Sequence, residues 1–457
     1  MESDRRTRGR DVDLTSFLAY NLIAAPIALA GLALARFSSD KVRAGFDGRR
    51  ELFARLEAQR EQLQGCVWFH SASAGEYEQG RPILRALRQE IASKNAAIPT
   101  LVTAFSPSGY AHASQHPESD VTEFLPLDTP ANARRMMQLL KPRVLVFVKF
   151  DCWPNMVWAA RRAGVPIVLL DATFHSRSQR QLPIARQFFG RLFDCFDRIG
   201  AIGEADRARF RSIGARGEIL ITGDTRTDQV IHRYEEADEG SLQRALNGQD
   251  FRYLALGSIW PADEKVILEP VLDRLDQDSS LGLIAVPHEP TPAHLESIES
   301  AMRAHGLMPS RLSELVEPRT HVRRATAAAK DPNRWRAIVV DTVGALAEIY
   351  RATILSYVGG SFTTGVHNTL EPAIVGQPVL FGPRIQNAHE AELLVERGGA
   401  FVVESRTEAA AQLADLLESE ERRQTVGAIA ANFVLSQRGA TQASVELLRP
   451  YVFESEL

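Results

Sequence analysis

The chain has 457 residues, 45% of them hydrophobic and 24% charged, with a formal net charge of -4. That length exceeds what one hydrophobic core ordinarily serves, so two domains with an appendage are expected, and so mild a charge gives no support to general nucleic-acid binding. The three cysteines, Cys66, Cys152 and Cys195, stand far apart without a CxxC or a histidine at ligand spacing, a pattern of reduced core residues rather than of disulfides or a metal site.

The first feature is an uncharged apolar run at residues 17–35, FLAYNLIAAPIALAGLALA, long enough to reach across hydrocarbon. It reads as a membrane-associated segment within residues 1–45, with three alternatives: a cleaved signal peptide, a buried helix, or a helix lying in one leaflet. The first is disfavoured, because no small-residue cleavage site precedes a cysteine-rich secreted body. Arg5, Arg6, Arg8 and Arg10 precede the run, and Arg36, Lys41, Arg43, Arg49 and Arg50 follow it. The positive-inside rule therefore chooses no orientation, and basic residues on both sides suit a segment on an anionic surface. Pro26 is placed to kink the helix.

From residue 65 to 223 strands and helices alternate as in a parallel sheet with crossover helices. Strands are expected at 66–70, 100–104, 121–125, 144–148, 167–170, 198–202 and 219–222, with helices opening at Pro107, at 128–130, at Trp153-Pro154 and at Glu204. This is a Rossmann-like unit without the GxGxxG fingerprint, so a nicotinamide cofactor is not indicated. A polar, charged stretch at 224–250 follows, and then the pattern resumes with strands at 253–256, 283–286, 337–340, 353–358, 378–381 and 400–403. The expected domains are thus 46–228 and 229–457. Residues 309–336, basic and rich in alanine, read as a mobile loop, and 408–452 as helices whose end can cross back to the first domain. Two α/β domains facing each other across a cleft make the GT-B arrangement, with ligands beyond the carboxyl ends of the strands.

Candidate chemistry gathers at those strand ends. The first strand runs into HSASAGEYEQ, which sets Glu76 at the opening of a helix. A carboxylate there can act as a general base, and Ser73 with Glu76 equally fits a capping box in which the glutamate only holds a backbone N–H. After the fourth strand come Lys149, Asp151, Trp153, Pro154 and Asn155. Lys149 either pairs with Asp151 or meets a substrate carboxylate or phosphate, and Trp153 reads as core. Ser258 lies in LGSIW at another strand end, and His288 in VPHE at the next. The stretch GGSFTTGVHNTLEP begins at Gly359, where a glycine pair lets the backbone turn sharply. A helix is expected at 367–375, and its free N–H groups and dipole make an anion site. The cluster Gly359, Gly360, Gly365, His367, Asn368 and Glu371 exceeds what a plain connection needs. Glu371 is placed to accept hydrogen bonds from a diol, and an anion site beside a diol acceptor suggests a nucleotide.

These residues carry a resemblance. Gly-Gly-x-Phe at 359–362 with His-Asn-x-Leu-Glu at 367–371 is similar to the donor-nucleotide motif of the 3-deoxy-D-manno-octulosonic acid (Kdo) transferases of lipopolysaccharide biosynthesis. His70 to Glu76 resembles the family's His-x-x-Ser-x-Gly-Glu, whose glutamate is its general base. Residues 153–155 match Trp-Pro-Asn, 257–260 resemble Gly-Ser-Thr-Trp, 287–289 resemble Pro-His-Glu, and 223–228 resemble the interdomain Gly-Asp-Thr-Arg-x-Asp. One departure is Lys149, which stands where many members carry an acid. The resemblance implies an inverting, metal-independent glycosyltransferase of GT-B fold. It would move Kdo from CMP-Kdo to a lipid A precursor, lipid IVA, at the cytoplasmic side of the bacterial inner membrane, with no cofactor and no nucleic-acid partner. Glu76 would be the base. Ser258, Gly360, Ser361, His367 and Asn368 would hold the departing phosphate, His288 would face the cytosine and Glu371 the ribose. Lys149 and Asp151 would meet substrate. Two other readings stand beside it: a GT-B enzyme of different donor, such as a UDP-sugar transferase or a 2-epimerase, and a non-catalytic membrane adaptor of the same fold.

Overall fold

The structure, a computed structural model, describes residues 12–149, 151–174, 180, 182–237, 240–316 and 331–453. The arginines expected to flank the apolar run at positions 5, 6, 8 and 10, and residues 317–330 of the expected loop, lie outside these. The chain divides into two compact units, Met1–Asp228 with Gly439–Leu457, and Gln229–Arg438.

The first unit is built on strands β1 (Val67–Ser71), β2 (Thr100–Ala104), β3 (Val121–Phe124), β4 (Val144–Val148), β5 (Ile167–Ala172), β6 (Arg198–Ala201) and β7 (Glu218–Ile221). They are parallel, in the order β3-β2-β1-β4-β5-β6-β7. A parallel sheet is covered on both faces, so its strands are apolar throughout, as VLVFV in β4 is. Alternation along each strand feeds two cores. Trp68, Leu145 and Phe147 face one core with Met136, Met137 and Val157, while Phe69, Val146 and Val148 face another with Ile83, Leu87 and Leu448. Prolines open the helices Pro107–Gln115, Pro130–Leu140 and Pro154–Ala163, a position whose N–H would go unbonded in any case.

The apolar N-terminal run is helical from Leu14 to Ala35, 22 residues with a mean hydropathy of 1.9, long and apolar enough to cross a membrane. Pro26 does not sharply break it; the turn Tyr20–Ala24 just before the proline widens to π geometry, which accommodates a missing N–H without ending the helix. The first half of this helix is docked on the unit. Tyr20 donates to Asp128 at 2.9 Å, Asn21 and Asn155 exchange amide hydrogen bonds at 2.9 Å, and Phe17 lies 5.3 Å from Trp158. Leu22, Ile27 and Leu34 are 72%, 68% and 71% exposed.

The second unit repeats the plan with β8 (Arg252–Ile259), β9 (Leu281–Pro287), β10 (Ser310–Arg311), β11 (Ala337–Val339), β12 (Thr353–Val358), β13 (Val379–Phe381) and β14 (Ala400–Val402), parallel in the order β10-β11-β9-β8-β12-β13-β14. The expected strands are present, and β10 is additional, an edge strand too short to show in a hydrophobic pattern. The second unit ends at Arg438, short of the expected limit at 457. The closing helix Ala440–Val452 returns to the first unit, where Leu447 and Leu448 join the core beside the helix Ala74–Ser93 and Arg449 meets Glu90 at 3.0 Å. The Asp228 carboxylate accepts from the amides of Gly439 and Thr441 at 2.8 and 2.6 Å, so the motif at 223–228 ties the returning chain to the point where it left.

Candidate active site

In each sheet two neighbouring strands send the chain in opposite directions, β1 and β4 in the first unit and β8 and β12 in the second. The crevice outside their carboxyl ends is where open α/β sheets bind ligands. Glu76 follows β1, Lys149 and Asp151 follow β4, Ser258 ends β8, and Gly359-Gly360 follow β12. The sequence candidates therefore stand at the two switch points.

In the first unit Glu76 is buried, 6% exposed. Ser73 caps its helix by accepting from the Glu76 amide at 3.4 Å, and one carboxylate oxygen, Oε2, accepts from the Ala72 N–H at 2.6 Å. The Ser73 amide also favours the ionised carboxylate. Burial, then the charge of Asp151, pushes the carboxyl up to about 7, against the pull of the Ala72 amide and Lys149. A glutamate that serves only as a cap keeps its acidity low; this one sits where a general base is effective near neutral pH. Lys149 adopts φ 73°, a left-handed conformation uncommon outside glycine. Its ammonium is lowered by burial and Arg226, and favoured by Glu76, Asp224 and Asp171. The Asp151 carboxyl is raised by burial.

Two groups to which the sequence reading gave no role of their own hold this site in shape. His70 is 1% exposed; its Nε2 accepts from Trp153 Nε1–H at 2.9 Å and its Nδ1 meets Thr103 Oγ1 at 3.0 Å. Burial lowers it to about 3, so the ring is neutral. Trp153 is only half-buried and is fixed by this bond and by Phe105, 4.3 Å away. Asp171, near the end of β5, has no exposure, and burial and the charge of Asp224 push its carboxyl up. Thr225 donates to Gln79 O at 2.7 Å and bonds Asp171, while Arg226 grips Asp224 at 2.8 Å.

In the second unit the organising residue is Asp263, fully buried at the start of the helix Pro261–Gln277. It accepts from the amides of Trp260 and Gly360 and from the Tyr357 hydroxyl, each at 2.9 Å. The end of β8 is thereby latched to the turn after β12. The fit is close: a Cβ on Gly359 would lie 2.3 Å from Ser258 O, and one on Gly360, whose φ is 97°, would lie 2.4 Å from Gly365 O. Ser258 itself has φ 52°. Beside the turn, the His288 ring stacks on His367 at 4.4 Å and on Trp260 at 4.6 Å, and Trp260 Nε1–H donates to His367 Nε2 at 3.1 Å. These three rings form an aromatic shelf on which His288 is exposed. Burial and His288 lower the His367 pKa.

Three expectations about this turn are corrected. The helix expected at 367–375 is the shorter Leu370–Ile374, because residues up to Gly365, with φ 123°, are folded into the turn, and Asn368 Oδ1 caps it by accepting from Leu370 N at 3.0 Å. So short a helix carries no dipole-based anion site. Nor does Gly360 offer its amide, which Asp263 engages; its contribution is the space a side chain would fill. Ser361 is fully buried, its hydroxyl accepting from Gly382 N at 2.6 Å, so it braces the turn from within. Glu371, half-buried and raised by burial, lies 3.6 Å from Arg233, and Asn368 is exposed beside it.

Residues 47–229 match the family described as 3-deoxy-D-manno-octulosonic-acid transferase (kdotransferase). Over almost its full length the chain is 28% identical to the 3-deoxy-D-manno-octulosonic acid transferase of Chlamydophila psittaci, covering 97% of this chain and 98% of that one. The chain resembles the Kdo transferases over nearly its whole length. A second such transferase, from Haemophilus influenzae, is 25% identical over 94% of this chain and 97% of its own. Among solved structures, UDP-GlcNAc 2-epimerase from Neisseria meningitidis bound to UDP-GlcNAc superposes with a TM-score of 0.60 at 12% identity, over 84% of this chain and 99% of that one. The S. aureus MnaA-UDP co-structure gives 0.55 at 15% identity, over 85% and 97%. The solved structures place the chain in the GT-B fold, and its likeness to the Kdo transferases marks it as a glycosyltransferase of lipopolysaccharide biosynthesis.

Proposed function

We propose that this glycosyltransferase moves Kdo from CMP-Kdo to a lipid A precursor, lipid IVA, with inversion at the anomeric carbon. Glu76 takes the proton of the acceptor hydroxyl as its oxygen bonds to the anomeric carbon. The bond from that carbon to the phosphate oxygen breaks, and CMP leaves with the electron pair. The observation that carries this reading is the Glu76 carboxyl, pushed up to about 7 by burial and Asp151 at the switch point of its sheet. Lys149 sets the charge against which Glu76 titrates, and with Asp151 meets the acceptor.

On the donor side the stacked rings of His288, His367 and Trp260 offer a flat surface for a pyrimidine. Ser258 and Asn368 reach the single phosphate of the leaving CMP, Glu371 takes the ribose hydroxyls, and the glycine turn supplies room. A monophosphate leaving group asks for less countercharge than a diphosphate, so no metal ion enters the scheme. The apolar helix Leu14–Ala35 brings the enzyme to a substrate that stays in the bilayer, at the cytoplasmic face of the inner membrane. Thermal shift with CMP and UDP tests the donor. CMP is expected to raise the melting temperature and UDP to leave it unchanged; the reverse order would make this a UDP-sugar enzyme.

A further inference from the structure

The docked half of the N-terminal helix roofs a cavity of 280 Å³ between the helices Pro130–Leu140 and Pro154–Ala163. Phe17, Met137, Ala159 and Ala163 give it an apolar wall, and Arg134 and Arg162 line it with two guanidinium groups. Arg162 lies 4.4 Å over the Phe17 ring. Both arginines are exposed, and among the described residues neither pairs with a carboxylate. The sequence explains why: the stretches Leu14–Ala35, Pro130–Leu140 and Pro154–Ala163 contain no aspartate or glutamate. On the helix Ala74–Ser93, across the sheet, Arg81 and Arg85 meet Glu118 and Arg88 meets Asp120. The acid-free face is also the one that carries Leu14, Leu18 and Leu22 at 63%, 43% and 72% exposure.

We propose that this cavity holds the phosphate headgroup of an anionic phospholipid of the membrane, between Arg134 and Arg162, with the acyl chains running along Leu14, Leu18 and Leu22. An unpaired guanidinium pair beside apolar surface complements a phosphodiester that carries net negative charge and gains less from a headgroup whose charge is balanced by choline. The occupant is distinct from the sugar acceptor. Arg162 stands eight residues beyond Pro154, about 12 Å down the helix from the strand ends where Glu76 and Lys149 gather. The proposal rests on the reading of the helix as membrane-associated, and gives that association a charge preference.

The test is sedimentation of the full chain with vesicles of phosphatidylcholine alone or mixed with phosphatidylglycerol, for the wild type, the double variant R134Q/R162Q and a charge-matched control, K265Q/R397Q. The wild type and the control are expected to bind the phosphatidylglycerol vesicles roughly twentyfold more tightly than the neutral ones. The double variant is expected to lose that preference while keeping its binding to neutral vesicles, its melting temperature and its turnover on detergent-dispersed acceptor. An unchanged preference in the double variant overturns the headgroup site. So does a raised KM for detergent-dispersed acceptor, which would assign the arginines to the acceptor's own phosphates. A wild type that binds no vesicle contradicts the membrane reading itself, and one that binds both kinds equally contradicts only the headgroup site.

Discussion

Glu76 holds the Ala72 amide and is proposed as the base, and an isosteric change separates the two roles. Gln keeps the carbonyl that accepts from Ala72 but cannot take a proton. E76Q is expected to lower turnover by roughly 10²- to 10⁴-fold while leaving CMP binding intact. The effect on stability has the opposite sign. The carboxyl lies at about 7 in the fold against an ordinary 4.5, so ionising it in the folded state is unfavourable, and that cost grows as pH rises from the lower value through the higher. The Gln variant escapes it, and above pH 7 is expected to be more stable than wild type by up to about 3 kcal/mol, read by urea melts at pH 5 and pH 8. A glutamate that served only as a cap would show retained turnover and no gain. Because the base works ionised, kcat/KM should fall below about pH 7. Since Lys149 lowers and Asp151 raises the Glu76 pKa, K149Q should move that limb to higher pH and D151N to lower pH, measured as pH profiles of both variants. The place of Glu76 was legible from its position after an apolar strand. Its raised pKa was not, because burial sets it first and Asp151, which adds to it, follows a different strand.

At the scale of elements, the turn after β12 depends on Asp263, contributed by a different helix. Its carboxylate is the shared acceptor of three buried donors, so D263A leaves them without a partner. It is expected to cost about 2 to 4 kcal/mol and to weaken CMP binding, measured by denaturant melts and calorimetry; full retention of CMP affinity would contradict the latch. Gly360→Ala places a Cβ where Gly365 O stands and should disrupt the same turn. The strands here were readable because parallel sheets write themselves as unbroken apolar runs, and the prolines and small polar caps marked where helices open. Asp263 stands at a helix start soon after LGSIW, and its bond to Gly360 joins residues almost a hundred positions apart, which periodicity does not report. The same is true of the helix after the glycine turn: the local pattern suits a helix from His367, and the tertiary folding of residues 359–367 against 382–387 delays it to Leu370.

At the scale of the molecule, the chain leaves the first unit after Asp228 and re-enters it at Gly439, and Asp228 caps the helix that closes the unit. The apolar N-terminal helix is bound to that unit by Tyr20, Asn21 and Phe17, so this apolar segment is also part of the fold. The central claim is the proposal that this chain transfers Kdo with Glu76 as base. Its most direct test is incubation of the full chain with CMP-Kdo and tetraacylated lipid A precursor, followed by mass spectrometry of the lipid. The expected result is lipid carrying added Kdo, stoichiometric release of CMP, and loss of both in E76Q despite its intact fold; full Kdo transfer by E76Q, or no transfer by the wild type, would contradict the account.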